Sequence, residues 1–352
     1  MKNIMKILFV SVTSLALMFS VNAGELTVNG SAKATYNAVS GDQADNGIGV
    51  TNELNFTASG EMANGYTWSY SMELDPATSG SGSGDTNTNG QANNDDTQLS
   101  LTMGELGTVK VCVSECGNNK KYGWDASAYT KMSDTGYSEG IIYPSDAGAY
   151  ASLQYHTPEL PLGTTISLAY GQQKKDGQSG NTTASSGNSM EEYSLTSTGL
   201  VDGLTLSASY YSVNDYDDGS AIEEALEEGG AYAIKYAIGN ATVGYGKSYK
   251  APETDTSTRT AGGTTVEYYE NTGMSLGYAV NDDLSVSITR ETSEASYQTS
   301  ATTAYDIEMD SIQAAYSMGG ATLSIARAAY ENVGYVNGDD ANETIIAMSF
   351  AF

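Results

Sequence analysis

The chain has 352 residues, a formal net charge of −28, only 16% charged residues, 26 Tyr, 39 Gly and 5 Pro. An acidic excess of this size excludes nucleic acid as a partner, because phosphate binding needs a basic surface. An apolar total of 39% is low for a soluble two-layer core of this length, and no stretch after residue 23 approaches the run of about 18 apolar residues that a membrane helix needs.

At the N-terminus, Lys2 and Lys6 precede a largely apolar stretch over residues 7–18, and Val21-Asn22-Ala23 has the small-x-small form of a cleavage site. This pattern predicts a secretory signal peptide over residues 1–23 and a mature chain over residues 24–352 forming one domain.

From there a period-two alternation runs to the end. Leu26, Val28, Gly30, Ala32, Ala34 and Tyr36 share one face, and Thr27, Asn29, Ser31, Lys33 and Thr35 the other. Leu54, Phe56 and Ala58 oppose Glu53, Asn55, Thr57 and Glu61, and Asn64-Gly65 then makes a hairpin turn. Trp68, Tyr70, Met72 and Leu74 follow, opposite Ser69, Ser71 and Glu73. The pattern predicts sixteen strands, centred near Ala32, Phe56, Tyr70, Leu101, Val111, Leu153, Leu168, Leu195, Leu206, Ile234, Val243, Gly273, Ile288, Ile312, Leu323 and Met348.

The connections alternate as well. Short turns fall at residues 64–65, 104–107, 157–163, 200–203, 239–240, 281–283 and 318–320. Long polar loops fall at 40–49, 76–96, 114–148, 174–189, 214–229, 250–263, 293–305 and 331–341. Short turns on one rim and long loops on the other mark an all-β, 16-stranded antiparallel transmembrane barrel with periplasmic turns and external loops. A barrel of 16–18 strands encloses an aqueous channel. The chain ends on Phe352, with Phe350, Met348 and Ile346 on the same face.

The start Gly24-Glu25-Leu26-Thr27-Val28-Asn29-Gly30, the sixteen-strand layout, the longest loop after the fifth strand and the terminal Phe352 resemble the trimeric Gram-negative general-diffusion porins, closest to the alphaproteobacterial type. The resemblance covers the whole mature chain. It implies the outer membrane of a Gram-negative bacterium, with its lipid and lipopolysaccharide as surroundings. It also implies a homotrimer, passage of small hydrophilic solutes and ions, and a third loop folded into the channel as an eyelet. Phe352 and Phe350 match the terminal signal that barrel assembly machinery reads.

Selectivity in a pore is set by its width and lining charges. By parity the lumen-facing bases are Lys33, Lys110 and Lys235, and the lumen-facing acids Glu53, Glu61, Glu73, Glu192, Glu267 and Glu343. The 114–148 loop carries Glu115, Asp125, Asp134, Glu139 and Asp146 against Lys120, Lys121 and Lys131. The expected eyelet sets the loop acids across from the wall lysines. Carboxylates outnumber ammonium groups 11 to 6 in these sets, which predicts a cation preference. Cys112 and Cys116 sit four apart; an oxidising envelope favours a disulfide that pins the loop's departure, with free thiols as the alternative.

Lys247, Arg290 and Arg327 break the apolar face, and hairpin symmetry pairs them with Glu270, Glu308 and Asp310 at the outer headgroup level, or a bulge turns some inward. No cofactor is implied. Residues 93–96, 215–218 and 223–228 form acidic loops that a divalent cation can bind, without EF-hand spacing. The one His, His156, lies beside a short turn with no Ser or Cys nucleophile placed near it by sequence, so an enzyme is not expected. A substrate-specific channel stays open as the nearest alternative, although lumen tyrosines Tyr150, Tyr211 and Tyr269 are too few for an aromatic track. A surface adhesin or purely structural barrel is the more distant one.

Overall fold

The computed structural model describes residues 24–40, 46–76, 92–113, 116–135, 140–174, 189–214, 227–252, 266–297 and 305–352. The expected signal peptide, Glu115, Glu139 and the acidic run 215–218 lie outside the described residues.

Sixteen strands follow one another in chain order: β1 (Glu25–Ser40), β2 (Asn46–Glu61), β3 (Thr67–Pro76), β4 (Ala92–Thr102), β5 (Thr108–Cys112), β6 (Tyr150–His156), β7 (Thr164–Lys174) and β8 (Ser189–Ser197). The second half is β9 (Leu204–Asn214), β10 (Glu227–Ile238), β11 (Ala241–Ala251), β12 (Val266–Ala279), β13 (Leu284–Tyr297), β14 (Ile307–Met318), β15 (Ala321–Glu331) and β16 (Ala341–Ala351). Each strand pairs antiparallel with its chain neighbours, and β1 pairs with β16 to close the barrel. Closure satisfies every ladder and leaves no open edge in the bilayer. At the seam, the Gly30 amide donates to the Phe352 carbonyl at 2.7 Å and the Phe352 amide to the Gly30 carbonyl at 3.0 Å.

All sixteen expected strand centres fall inside strands. Several strands run further outward than the apolar pattern does. The loop expected at 40–49 shrinks because β1 continues to Ser40 and β2 begins at Asn46. Similarly, β4 begins at Ala92, β10 at Glu227, and β13 runs to Tyr297. Backbone pairing needs no apolar side chain, so ladders continue past the membrane where the alternation fades.

The alternation sorts the faces as expected. Along β15, Leu323, Ile325 and Arg327 are exposed on the outside, while Ser324, Ala326 and Ala328 are buried. The exposed apolar residues, with Ile312 and Ile288 among the most exposed, form the lipid-facing band. Lys247 pairs with Glu270 and Arg290 with Glu308 on this outer face. Asp310 lies opposite Arg290 and contacts it at 3.6 Å, instead of pairing with Arg327. The reason is register: Arg327 faces Ile312, and Asp310 faces Ala329. Pairing is continuous through β13, β14 and β15, so no bulge turns these charges inward.

The buried core lies inside the barrel, under the chain that follows β5. Met132 of that segment packs with Met309, Ala326, Ala328, Tyr330, Ala341, Ile345 and Ala347 of β14 to β16. A second cluster joins Ala147 to Ala169, Met190, Tyr211 and Val213.

Candidate functional site: the channel constriction

The segment between β5 and β6 folds into the lumen. Its root is fixed by the disulfide between Cys112, at the end of β5, and Cys116. Gln154 Nε2 of β6 donates to the Cys116 carbonyl at 2.7 Å, and Asn118 Nδ2 donates to Gln154 Oε1 at 2.9 Å. His156 completes this strut, with Nε2 3.0 Å from Gln154 Oε1 and Nδ1 2.8 Å from Ser167 Oγ. A serine hydroxyl therefore does stand beside the histidine, because β6 and β7 pair His156 directly with Ser167, a neighbour that chain distance hides. His156 meets the same Gln154 oxygen that holds Asn118, so the contact braces the loop root.

From this root the loop crosses the inner wall strand by strand. The Lys120 amide donates to Ser209 Oγ on β9 at 2.8 Å. Ser275 Oγ on β12 donates to the Trp124 carbonyl at 2.7 Å. The Ala128 amide donates to Ser287 Oγ on β13 at 2.8 Å, and Gln313 on β14 clamps residues 129 and 130 from both sides of its amide. Thr135 Oγ1 donates to Glu343 on β16 at 3.0 Å. Short local turns let the chain lie flat: Asp125 Oδ1 accepts from the Ser127 amide at 3.1 Å, and Asn119 Oδ1 from the Lys121 amide at 2.8 Å.

The charges divide into two sets. Buried carboxylates hold the loop. Glu192 (1% exposed) accepts from the Ala147 and Asn118 amides at 2.9 and 3.3 Å, and Glu343 (0%) also accepts from Asn37 at 2.8 Å. Glu291 (2%) accepts from Ser133 at 2.7 Å, from Tyr143, and pairs with Lys131 at 3.2 Å. Glu227 gathers Tyr211, Ser145 and Lys250 within 2.7, 2.7 and 3.1 Å. Glu192 and Glu343, expected to line the water, are thus anchors beneath the loop; their side chains meet loop amides and hydroxyls before they meet solvent. Tyr211 is fully buried for the same reason. The expected acidic loop at 223–228 also ends differently, since Glu227 and Glu228 already belong to β10.

The second set is accessible. Lys33 on β1 stands two residues along from Ser31, which donates to Glu53 of β2 at 3.4 Å, and Lys110 on β5 lies opposite Gln154 of β6. Asp134 is exposed on the loop. Asp125 and Lys235 do not face each other across the channel. They are neighbours, with Lys235 Nζ donating to the Asp125 carbonyl at 3.4 Å, because the loop runs directly over β10. They share a polar cavity of about 460 Å3 with Ser127, Thr205, Asn240 and Thr242 below the loop. Lys121 is paired with Asp146 at 3.4 Å. Burial lowers the Lys120 pKa from its ordinary value, against the opposing pull of Glu192. Among the described residues no group of three or more His, Cys, Asp or Glu is placed to hold a metal ion.

Glu291 and Trp124 escaped the sequence reading. Glu291 shares the inward parity of Ser287, Thr289 and Ser293, so alternation alone contains it. Trp124 had a weaker signal, a lone tryptophan in a polar loop, yet it is only 3% exposed.

The sequence profile of the Gram-negative porin family matches residues 11–352. The chain belongs to the Gram-negative porin family. It is an outer-membrane β-barrel channel, and the family and fold point to transport, not to an enzyme. Its fold resembles that of Salmonella typhi OmpF, solved with daunomycin, at 17% identity and a TM-score of 0.68, covering 95% of this chain and all of that one. It is similar to the anion-selective porin from Comamonas acidovorans, at 14% identity and a TM-score of 0.68, covering 94% of this chain and all of that one. Vibrio cholerae OmpT, an outer membrane protein, follows at 13% identity and a TM-score of 0.64, covering 95% and 99%. No curated protein matches this porin in sequence.

Proposed function

We propose that this porin is a homotrimeric, water-filled channel for passive diffusion of small hydrophilic solutes and ions, with a modest cation preference. The observation that carries the reading is the stretch of residues 116–135 bonded along the inner wall from β6 to β16, which narrows the lumen.

The excess of lumen acids is smaller than a count by parity suggests. Lys121 and Lys131 are neutralised by Asp146 and Glu291, and Glu192 and Glu343 are buried. Asp125, Asp134, Glu53, Glu61, Glu73 and Glu267, none of them buried, then exceed Lys33, Lys110, Lys120 and Lys235 by only two. Preference for cations therefore rests on the field of the whole chain, whose net charge is −28. Such a field is screened beyond about 10 Å at 0.1 M salt, so the preference should shrink as salt rises. Reversal potentials across KCl gradients test this: cation preference at low salt that fades near 1 M is expected, and anion selectivity overturns it. The similarly folded porin from Comamonas acidovorans is anion-selective, so the lining charges and not the fold set the sign.

The small outward residues Gly30, Ala32, Ala34, Ala58 and Gly60 suit close barrel-to-barrel contact, which supports the trimer. On the outer face, Arg327 has no ion-pair partner among the described residues and suits a lipopolysaccharide phosphate. A detergent-stable oligomer that migrates as a monomer after heating is the expected form.

A further inference from the structure

Three glycines make a seat on the inner wall. Gly244 and Gly246 lie on β11 and Gly273 on β12, all on the inward face, with Gly246 directly opposite Gly273. A Cβ on Gly273 would overlap the Trp124 indole, and one on Gly246 would overlap its edge and also stand 3.0 Å from the Tyr232 carbonyl. A Cβ on Gly244 would overlap the Trp124 carbonyl. None of the three has a positive φ, so the backbone conformation does not demand glycine there. Glycine inside a strand costs stability and marks a place where another part of the molecule comes close. Here that part is one residue, Trp124, through its indole and its carbonyl.

The seat is shaped for the indole. The Trp124 Nε1 donates to the Lys121 carbonyl at 3.0 Å, and its own carbonyl accepts from Ser275. Both polar ends are satisfied, so the ring can be buried against bare backbone at no polar cost. The next residues continue the trend: a Cβ on Gly277 would stand 2.6 Å from the Ala126 carbonyl.

We propose that Trp124 in the seat of Gly244, Gly246 and Gly273 sets the depth at which the constriction loop lies, and so sets the width of the channel. The inference rests on the diffusion-channel reading. Each methyl added to the seat has nowhere to go but under the indole, and it lifts the loop towards the open lumen. Close-packed contacts do not absorb a methyl without movement.

The test compares single-channel conductance of purified trimers in planar bilayers. Gly273→Ala and Gly246→Ala should each lower conductance by about a third, with a lower size limit for neutral solutes. In a Trp124→Ala background Gly273→Ala should change nothing, because the three nearest atoms its methyl meets all belong to the missing indole. Unchanged conductance in folded Gly273→Ala and Gly246→Ala trimers overturns the proposal, and so does an equal effect of Gly273→Ala with and without Trp124. Should these variants fail to fold, the wild-type seat is still testable. In Trp68→Phe, where Trp124 is the only tryptophan, emission should be blue-shifted and resist acrylamide; a quenchable, red-shifted Trp124 overturns the seat. Failure of the diffusion reading itself would show separately, as absent conductance in the wild-type trimer.

Discussion

Lys131 of the constriction loop and Glu291 of β13 form an ion pair at 3.2 Å with side chains only 5% and 2% exposed. The Lys131 ammonium also lies 4.2 Å from the Tyr122 ring centre and 4.1 Å from that of Tyr143. Removing one partner from such a pair leaves an uncompensated buried charge, at about 3–5 kcal/mol. Lys131→Ala should therefore weaken loop docking strongly. Lys131→Met combined with Glu291→Leu should recover much of the loss, because two apolar groups leave no stranded charge. Protease sensitivity of the loop and the temperature of trimer dissociation measure both.

The loop tyrosines give the channel an alkaline limit. Burial raises the pKa of Tyr122, with Asp134 and Glu291 adding to it. Burial also raises Tyr129 and Tyr335. A folded-state pKa above the unfolded value means that the protonated form is favoured in the docked loop. Its stabilising contribution is full below about pH 10, the ordinary phenol value, and is lost as pH rises past it towards the folded pKa. Ultraviolet titration of phenolate should show a late-ionising group of tyrosines, and loop docking should loosen in step with them. Complete ionisation near pH 10 with the trimer intact would count against this.

The Cys112–Cys116 bridge closes a very short ring, with Cα atoms 6.0 Å apart. Chain-entropy reasoning for a ring of this size gives about 2 kcal/mol. Reduction, or Cys112→Ser with Cys116→Ser, should leave the barrel folded and raise open-channel current noise, since the bridge fixes only the loop root. Loss of the barrel itself after reduction would show a larger role.

Deleting Phe352 removes both seam hydrogen bonds to Gly30. The ring also lies so close to Gly30 that a Cβ there would stand 2.9 Å from it. Net hydrogen-bond contributions near 1 kcal/mol each make this a loss of about 2 kcal/mol at the closing strands, before any assembly defect. Slower refolding into detergent micelles is expected, and refolding at the wild-type rate would argue that the seam forms late.

Alternation made the barrel legible because lipid imposes it on every strand. Ile312, Leu323 and Ile325 are outward for the same reason wherever they occur. The inner face carries no such rule. Met309, Ala326 and Ala328 are apolar and inward because Met132 lies on them, a contact set by the path of one loop. Glu192, Glu291 and Glu343 look alike by parity to the accessible Glu53, and only the loop's path separates anchors from pore lining. Register was equally opaque: Arg327 and Asp310 share a hairpin, yet they are offset by two residues in the ladder. Strand-level order was thus readable from residue type, and the constriction required the three-dimensional path.

Planar-bilayer recording of the wild-type trimer addresses the channel claim most directly. The structure predicts discrete ohmic steps whose conductance rises in proportion to KCl concentration, as in a water-filled pore. Silent bilayers despite inserted protein, or a conductance that saturates at low millimolar salt, would contradict it.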